Sequence, residues 1–306
     1  MVTRPTHYKV HLPIGEKPAS GVRAIPCRPA GRRVRYRLDM EIKRILIFGA
    51  GVIGSVYAGK LALAGHDVSV LARNERLKEL EVYGLLLCEI GKPITKIEVV
   101  VISELKPEDV YDYIFVTVRK DQVQQALPLL AKNSSKMLVF MVNTSSVYSD
   151  WIEQVGFERV IPAFPGAGGT IANSIVYYSL TSRFVQPTTV GEMDGGTTQR
   201  IKEIRDVLQK AGFPTSIARN MDKWQKSHVA MVCPLAYGIY ADGGNNYSFA
   251  NNKLAIIHTS KAFKETLSFL KNCGIGVEPG RLNNNQGNAI ANTQLLSFTN
   301  IQHNMG

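Results

Sequence analysis

The feature that most constrains the fold is a glycine pattern of the form G-x-G-x-x-G, namely Gly49-Ala50-Gly51-Val52-Ile53-Gly54. It directly follows a short apolar run at 44–48 and opens a stretch of helical composition at 52–64. In this strand–turn–helix context, the glycines permit a tight turn, a close approach of pyrophosphate and close packing of helix on strand. The helix N-terminus offers free N–H groups to phosphate. We therefore predict that these six residues bind a dinucleotide; the alternative is a glycine-rich turn without a ligand.

Short apolar runs and helical stretches alternate through the first half of the chain. The expected strands are residues 44–48, 67–71, 113–118 and 137–142. The expected helices between them are residues 52–64, 74–82 and 121–131. All-apolar strands that alternate with helices indicate a parallel sheet covered on both faces, and right-handed crossovers make such a sheet doubly wound. We predict a Rossmann-type doubly wound parallel sheet of the α/β class.

The second half of the chain has a different pattern. The glycine-rich residues 164–170 have the composition of a flexible loop, and residues 174–192 indicate two strands around polar turns. Helical stretches follow at residues 201–211, 219–241 and 250–272. We predict four segments, which are a basic disordered extension at 1–40, an NADP-binding Rossmann-like domain at 41–217, a helical domain at 218–282 and an Asn-rich disordered tail at 283–306.

The net charge of +11 is concentrated at the beginning of the chain. Residues 1–40 contain nine Lys and Arg and two acidic residues, whereas residues 41–306 have a net charge of only +4. A nucleic-acid-binding module in the basic extension is one hypothesis. No aromatic-interleaved or helical basic motif accompanies these arginines. We therefore expect no nucleic-acid partner.

The extension also bears on localisation. An arginine-rich, acid-poor leader is compatible with an organelle transit peptide, but its prolines and glycines disfavour an amphipathic helix. Met40 directly precedes the first strand, so a disordered extension or translated sequence upstream of the true start is the other interpretation. The uncharged run at 45–59 is too short to span a bilayer, and we expect no membrane partner. Four scattered cysteines without a C-x-x-C motif favour reduced thiols and a cytoplasmic protein.

The end of the second expected strand indicates which dinucleotide binds. An NAD site has an acidic residue at this position, which holds the ribose 2′-hydroxyl. Here the strand ends in Leu71-Ala72-Arg73, and Arg73 lies 22 residues after Gly51. An arginine pairs with the 2′-phosphate of NADP, and Arg76 is a further candidate for the same role. We predict NADPH; the alternative for Arg73 is an exposed residue that precedes a helix.

Two polar residues follow neighbouring expected strands. Lys120 comes just after the strand at 113–118, and Asn143 comes just after the strand at 137–142. Ligands of such sheets bind beyond the carboxyl ends of the strands, so both residues would face the nicotinamide half of the cofactor. The alternatives are a solvated loop lysine for Lys120 and a turn former or helix cap for Asn143.

A lysine beside a tryptophan, in Trp224-Gln225-Lys226, begins the first long helix of the C-terminal part. Carbonyl reduction needs a positive or proton-donating group at the developing alkoxide, and Lys226 fits this requirement. His228 lies two positions further, so on a helix it points elsewhere, and we interpret it as a packing or capping residue. The six histidines show no H-x-x-x-H or H-E-x-x-H spacing, and we expect no metal.

In order and spacing, these motifs resemble those of the ketopantoate reductase (2-dehydropantoate 2-reductase) family. The matching segments are GAGVIGSVYAGKLALAGHDVSVLAR at 49–73, TVRKDQV at 117–123, VN at 142–143, FPGAGG at 164–169, WQK at 224–226 and IYADGGNNYSFA at 239–250. The resemblance extends from residue 42 to about residue 280. It implies a Rossmann domain followed by a helical domain, NADPH-dependent reduction of a 2-keto acid to a 2-hydroxy acid, and a place in pantothenate biosynthesis.

The resemblance also implies roles for particular residues. NADPH would lie on the glycine motif and Arg73, the family's sheet-end lysine and asparagine match Lys120 and Asn143, and its catalytic lysine matches Lys226. The family's substrate-binding asparagines, one and two turns after that lysine, correspond approximately to Ala230 and Pro234.

The family's further C-terminal helices have no counterpart beyond Pro279, so we expect an incomplete helical domain. The leading hypothesis is a 2-keto acid reductase with Lys226 as general acid, compatible with a homodimer. The alternative is a catalytically incomplete NADP-binding protein.

Overall fold

The computed structural model of the chain describes residues 41–145 and 148–280. The predicted extension at 1–40 and the predicted tail at 283–306 lie outside these residues. The described strands are β1 (Arg44–Phe48), β2 (Asp67–Leu71), β3 (Leu85–Glu89), β4 (Thr95–Ile97), β5 (Val100–Ile102), β6 (Tyr113–Val116), β7 (Leu138–Met141), β8 (Val160–Phe164), β9 (Ala167–Ala172), β10 (Ile175–Leu180), β11 (Thr188–Val190) and β12 (Thr215–Ile217). The described α-helices are α1 (Val52–Leu63), α2 (Asn74–Tyr83), α3 (Lys120–Lys132), α4 (Ser149–Val155), α5 (Gln199–Lys210), α6 (Met221–Ala241), α7 (Asn246–Asn251) and α8 (Lys253–Asn272).

The main sheet has the strand order β12-β11-β8-β7-β6-β1-β2-β5. Strands β5, β2, β1, β6, β7 and β8 are parallel to their neighbours, whereas β11 runs antiparallel to β8. The prediction of a Rossmann-type sheet is confirmed, with a reversed pair of strands at one edge. Strand β1 lies between β2 and β6, so the chain changes its direction of progress through the sheet at β1. Ligands of open α/β sheets bind at such a switch point.

Helices cover both faces of this sheet. Consecutive side chains of a strand point to opposite faces, so an all-apolar strand needs a helix on each side to bury them. Ile45 and Ile47 of β1 pack with residues of α1 and α5 in one buried cluster. Leu46 and Phe48 pack with residues of α3 and α4 in another. All four side chains are at most 2% exposed, which explains why the strand has no polar residue after Arg44.

A second sheet, with the order β4-β3-β10-β9, packs against α1. The glycine-rich residues 164–170 were expected to form a flexible loop, and this expectation is wrong. Most of them belong to β9, which pairs antiparallel with β10. A Cβ atom on Gly169 would lie 2.1 Å from the carbonyl oxygen of Tyr177. Glycine at this position therefore allows the backbones of β9 and β10 to approach closely, and it does not make the segment flexible.

The C-terminal part of the described chain is helical. The two long helices expected at 219–241 and 250–272 are α6 and α8, which pack against each other. Helix α6 begins at Met221, shortly after β12, so the domain boundary proposed at residue 217 falls between a strand and a helix. That boundary and the incompleteness of the helical domain remain predictions.

None of the helices in the described part of the chain is both long and apolar enough to cross a membrane.

Candidate functional site

The glycine-rich turn connects β1 to α1 at the carboxyl edge of the main sheet. Gly49 has a φ of +117°, which favours glycine, and its carbonyl oxygen accepts a hydrogen bond from Thr117 Oγ1 at 2.8 Å. A Cβ on Gly54 would lie only 1.9 Å from that same oxygen, so the turn and α1 can pack this closely only with glycine there. A Cβ on Gly51 would meet no protein atom within 4 Å. The first and third glycines thus serve packing, and the second leaves open space.

This open space is part of a cavity of about 460 Å³ at the switch point of the sheet. The predicted binding residues Gly49, Ala50, Gly51 and Arg73 all line it. Val52 and Ile53 begin α1, and the N-cap residue Gly51 provides no capping side chain. The first N–H groups of α1 therefore have no capping partner from Gly51, as a phosphate-binding helix N-terminus requires.

Two arginines at this cavity have different environments. Arg73 is exposed and lies two residues after the end of β2, following Ala72. This is the position expected for a residue that reaches a ribose phosphate. Arg76 is only 15% exposed, and its Nε donates a hydrogen bond to the carbonyl oxygen of Ala50 at 3.1 Å. Arg76 also pairs with Glu79 at 2.7 Å. Arg76 thus contacts the glycine-rich turn and also lines the cavity, and its expected role beside Arg73 at a 2′-phosphate remains a prediction.

The two predicted sheet-end residues also lie at the carboxyl edge. Lys120 is the first residue of α3, which follows β6 after a short turn, and it is exposed. Its neighbour Arg119, rather than Lys120, is among the described residues that line the cavity. Asn143 is exposed and follows β7 by two residues. Both positions agree with the predicted placement, but their contacts with a cofactor remain predictions.

Helix α6 is attached to this edge through Gln225. The Nε2 atom of Gln225 donates hydrogen bonds to the carbonyl oxygens of Val142, at 3.0 Å, and Ala163, at 3.3 Å. Its Oε1 atom accepts a hydrogen bond from the hydroxyl of Tyr148. Gln225 is 2% exposed, so these bonds replace water for a buried amide. They attach the beginning of α6 to the carboxyl edge of the sheet, next to the strand end that Asn143 follows.

Lys226 is half-buried and forms an ion pair with Asp222, one helical turn earlier, at 2.5 Å. Burial, together with the nearby Asp222 carboxylate, raises the pKa of Tyr148 well above its ordinary value. Asp222 and Lys226 therefore form a charged group at the beginning of α6, and Tyr148 lies near enough for the Asp222 charge to affect its pKa. Such a group can present a positive charge and a proton to an oxygen atom at the sheet edge.

His228 is separate from this group. Its ring stacks on Trp224 with a centroid distance of 5.0 Å and also contacts Phe164. Burial lowers the pKa of His228 to about 4, so the imidazole is neutral near neutral pH. These contacts agree with its interpretation as a packing residue. In residues 41–145 and 148–280, no group of three or more His, Cys, Asp and Glu side chains has the arrangement of a metal site.

Two residues that hold the site in place were not predicted from the sequence. Thr117 fixes the glycine-rich turn, and Gln225 fixes α6 on the sheet. Thr117 directly follows β6 at the carboxyl edge, which is a signal that could have identified it. The burial of Gln225 depends on tertiary packing, and a glutamine between Trp224 and Lys226 gives no local indication of it.

The sheet order, the glycine-rich turn at the switch point and the helices that follow define a Rossmann-type α/β protein with a helical C-terminal part. Residues 45–194 match the model of the family described as ketopantoate reductase PanE/ApbA. This match covers a little under half of the chain and, with the relatives below, supports the ketopantoate reductase family. The chain is 28% identical over 208 residues to a 2-dehydropantoate 2-reductase from Archaeoglobus fulgidus. That alignment covers 64% of this chain and 64% of the relative, so the chain matches less than two thirds of the relative's length.

Solved structures have the same fold. A ketopantoate reductase from Ralstonia solanacearum, assigned provisionally, aligns with a TM-score of 0.66 and 17% identity over 83% of each chain. A D-mandelate dehydrogenase solved with NADH and anilino(oxo)acetate aligns with a TM-score of 0.66 and 18% identity, over 82% of this chain and 79% of that one. At these identities the comparison establishes the fold, not the substrate.

Proposed function

We propose that the chain is an NADPH-dependent reductase that converts a 2-keto acid to the 2-hydroxy acid. The observation on which this proposal rests is the hydrogen bond from Gln225 to the carbonyl oxygen of Val142, which attaches the beginning of α6 to the sheet edge beside Asn143. A dinucleotide site and a proton donor then share one edge. The relative from Archaeoglobus fulgidus, a 2-dehydropantoate 2-reductase, supports the same reaction class.

The cavity fits a phosphorylated dinucleotide. Gly51 leaves room for pyrophosphate beside the N-terminus of α1, and the exposed guanidinium of Arg73 can pair with a 2′-phosphate. Position 73, directly before α2, lacks the carboxylate that would hold a 2′-hydroxyl. Because the D-mandelate dehydrogenase of the same fold was solved with NADH, the fold does not decide between the cofactors. The proposal that the cofactor is NADPH and not NADH therefore rests on Arg73.

When bound, NADPH supplies the hydride that reduces the keto carbon. Lys226 donates a hydrogen bond, and then a proton, from Nζ to the keto oxygen as negative charge develops on it. Asp222 holds the ammonium group in place before substrate binds. Asn143 and Lys120, at the ends of two neighbouring strands, orient the nicotinamide and the substrate.

The second candidate function is binding of NADPH without turnover. One observation favours it, namely that the residues one and two turns after Lys226 are Ala230 and Pro234. Ala230 packs against Phe263 and Leu267 of α8 in an apolar cluster, and its carbonyl oxygen accepts a hydrogen bond from Thr266. This face of α6 has no polar side chain at either position to hold a substrate carboxylate.

A turnover assay with the full chain separates the two candidates. The substrates are 2-dehydropantoate and a panel of other 2-keto acids, and the readout is the loss of NADPH absorbance. The reductase proposal predicts turnover with at least one keto acid. It also predicts that Lys226→Ala lowers kcat by about 10²–10⁴-fold, the usual contribution of a general acid.

Lys223→Ala is the matched control, because Lys223 is an exposed lysine one turn earlier on the same helix. This variant should keep wild-type turnover, and both variants should bind NADPH as the wild type does. Full turnover by Lys226→Ala would show that Lys226 is not the general acid. NADPH binding without oxidation of any keto acid would favour the second candidate.

We also propose that the protein is cytoplasmic and acts on a small molecule, with neither nucleic acid nor membrane as a partner. The three described cysteines, Cys88, Cys233 and Cys273, are free thiols, which supports a reducing compartment. A homodimer is supported by the exposed aromatic side chains of Tyr237 and Tyr240 on α6. Sedimentation equilibrium of the full chain tests it, with a monomer mass as the contradicting result.

A further inference from the structure

The guanidinium of Arg76 joins the glycine-rich turn to its surroundings. Besides the bond from Nε to the carbonyl oxygen of Ala50, Nη2 lies 3.3 Å from Ser55 Oγ in α1. Ser55 Oγ itself donates to the Ala50 carbonyl oxygen at 3.2 Å. Glu79 fixes Nη1 from the other side at 2.7 Å. The carbonyl group of Ala50 is thus held by two donors, one of which is a cation.

Holding this carbonyl group also fixes the next N–H group. The peptide between Ala50 and Gly51 is planar and trans, so the N–H of Gly51 points in the opposite direction to the Ala50 carbonyl. Arg76 therefore determines the direction of an N–H group at the residue where the cavity leaves room for pyrophosphate. A reversed peptide would direct an oxygen atom toward the phosphates, where it would repel them.

The same guanidinium also lies near the turn of the β9–β10 hairpin. The carbonyl oxygen of Ser174 is 3.5 Å from Nη1 of Arg76. Asn173 and Ser174, the two residues of this turn, both have positive φ values, and Ile171 of the same hairpin lines the cavity. Arg76 is thus placed between the glycine-rich turn and a further wall of the cavity.

We propose that Arg76 is a positioning residue that orients the glycine-rich turn for pyrophosphate and therefore serves NADPH and NADH equally. In contrast, selectivity for the 2′-phosphate lies with Arg73. The proposal rests on the proposed function, in that the chain must bind NADPH. The burial of Arg76 and its engagement by Ala50 and Glu79 distinguish it from the exposed Arg73. Arg76 also lines the cavity, but because its guanidinium is held by Ala50 and Glu79 we assign it to the turn and not to the 2′-phosphate.

Binding titrations of the full chain test this proposal with three ligands. NADPH and NADH both contain the pyrophosphate, whereas adenosine 2′-monophosphate has the 2′-phosphate but no pyrophosphate. The variants are Arg76→Gln, Arg76→Lys and, as a matched control, Lys78→Gln. Lys78 is an exposed residue of the same helix whose ion pair with Glu75 lies in solvent.

We expect Arg76→Gln to weaken the binding of NADPH and of NADH by the same factor, about tenfold. This factor corresponds to the loss of roughly one hydrogen bond. Adenosine 2′-monophosphate should bind the variant as it binds the wild type. Arg76→Lys should resemble Arg76→Gln, because a lysine lacks the fork that reaches both Ala50 and Ser55. Lys78→Gln should leave all three affinities unchanged.

Three outcomes would overturn the proposal. If the variant lost affinity for NADPH and for adenosine 2′-monophosphate but kept its affinity for NADH, Arg76 would be a ligand of the 2′-phosphate. Equal loss of affinity for all three ligands would show that the effect of Arg76 is not specific to the pyrophosphate, and unchanged affinities would show that Arg76 does not position the turn. If the wild-type chain itself bound neither dinucleotide, the proposed function would fail first, and the two failures are thus distinguishable.

Discussion

The glycine-rich turn and the beginning of α6 both lie at the carboxyl edge of the main sheet, but they are built differently. The turn is fixed by contacts to its own backbone, from Gly54, Thr117 and Arg76. The beginning of α6 is held by side chains that reach residues distant in sequence: Gln225 bonds two strands, and Met221 and Trp224 pack in an apolar cluster. Lys226 then has Asp222 of its own helix as an ion-pair partner.

This difference indicates which half of the site can change without loss of the fold. The cofactor half is part of the sheet, so a change in its packing glycines affects stability and binding together. The proposed substrate half lies on α6, which is attached by the hydrogen bonds of Gln225 and the apolar contacts of Met221 and Trp224. We expect its polar residues to vary more easily, and Ala230 and Pro234 stand where the resemblance predicts asparagines.

The largest effect is expected for Gly54→Ala. The added Cβ would lie 1.9 Å from the carbonyl oxygen of Gly49, so the turn or α1 must move, at a cost of about 3 kcal/mol in the free energy of unfolding. Gly51→Ala is the matched comparison, because its Cβ meets no protein atom within 4 Å. It should change stability by less than about 0.5 kcal/mol yet weaken NADPH binding at least tenfold. Urea unfolding and fluorescence titration measure both effects, and wild-type NADPH affinity of Gly51→Ala would show that this glycine does not make room for the cofactor.

A nearly equal effect is expected from the protonation of His228, a buried residue of α6. Its pKa is lowered from 6.5 to about 4 in the folded protein, so the unfolded chain binds more protons between these values. The contribution of His228 to the free energy of unfolding is therefore fully present above pH 6.5. It is lost as the pH falls toward 4, and the total loss is about 3 kcal/mol.

Urea unfolding of the wild type and of His228→Phe, at about pH 7 and at about pH 4, measures this contribution. The wild type should lose more stability than the variant on acidification, because phenylalanine keeps the stacking on Trp224 without a titratable group. Equal losses in the two proteins would show that His228 is not kept neutral by burial.

The substitution Gln225→Leu tests the attachment of α6 to the sheet. The substitution leaves the Tyr148 hydroxyl and the carbonyl oxygens of Val142 and Ala163 without their partner, which should cost about 2 kcal/mol of stability. It should also lower kcat while the dissociation constant of NADPH stays the same, because the glycine-rich turn is not touched. The control is Gln154→Leu on the exposed face of α4. If Gln225→Leu weakened NADPH as strongly as it lowered kcat, the two halves of the site would not be independent.

The smallest effect is expected at the hairpin turn beside the cofactor half. Ser174 has a φ of +64°, which costs a residue with a side chain about 1 kcal/mol relative to glycine. Ser174→Gly should therefore raise the free energy of unfolding by up to about 1 kcal/mol. NADPH affinity should not change, because the contact to Arg76 is made by the backbone oxygen. A loss of stability in urea unfolding would count against strain at this turn.

The sequence was sufficient where structure depends on neighbouring residues. Strands β1 and β2, helix α1 and the glycine-rich turn are determined by apolar runs and glycines that are close along the chain, and the structure has them where they were expected. The second sheet was not predicted, because β3 pairs with β10 from almost a hundred residues away. The glycines of β9 then resemble a loop until the strand beside them is known.

The same distinction applies to the candidate site. Arg73 and the three glycines follow from spacing within one strand–turn–helix unit, and the structure places Gly49, Gly51 and Arg73 around one cavity. The roles of Gln225 and Arg76 depend on carbonyl oxygens brought near by folding, so no local pattern indicates them.

Above all, we propose that this edge of the sheet binds NADPH and selects it through Arg73. A fluorescence titration of the full wild-type chain with NADPH and, in parallel, with NADH tests this selectivity most directly. NADPH should bind at least about tenfold more tightly than NADH, as expected for a charge-assisted pair between an arginine and a phosphate, and Arg73→Gln should remove this difference. Equal affinity of the wild type for both dinucleotides, or binding of neither, would contradict the proposed cofactor site.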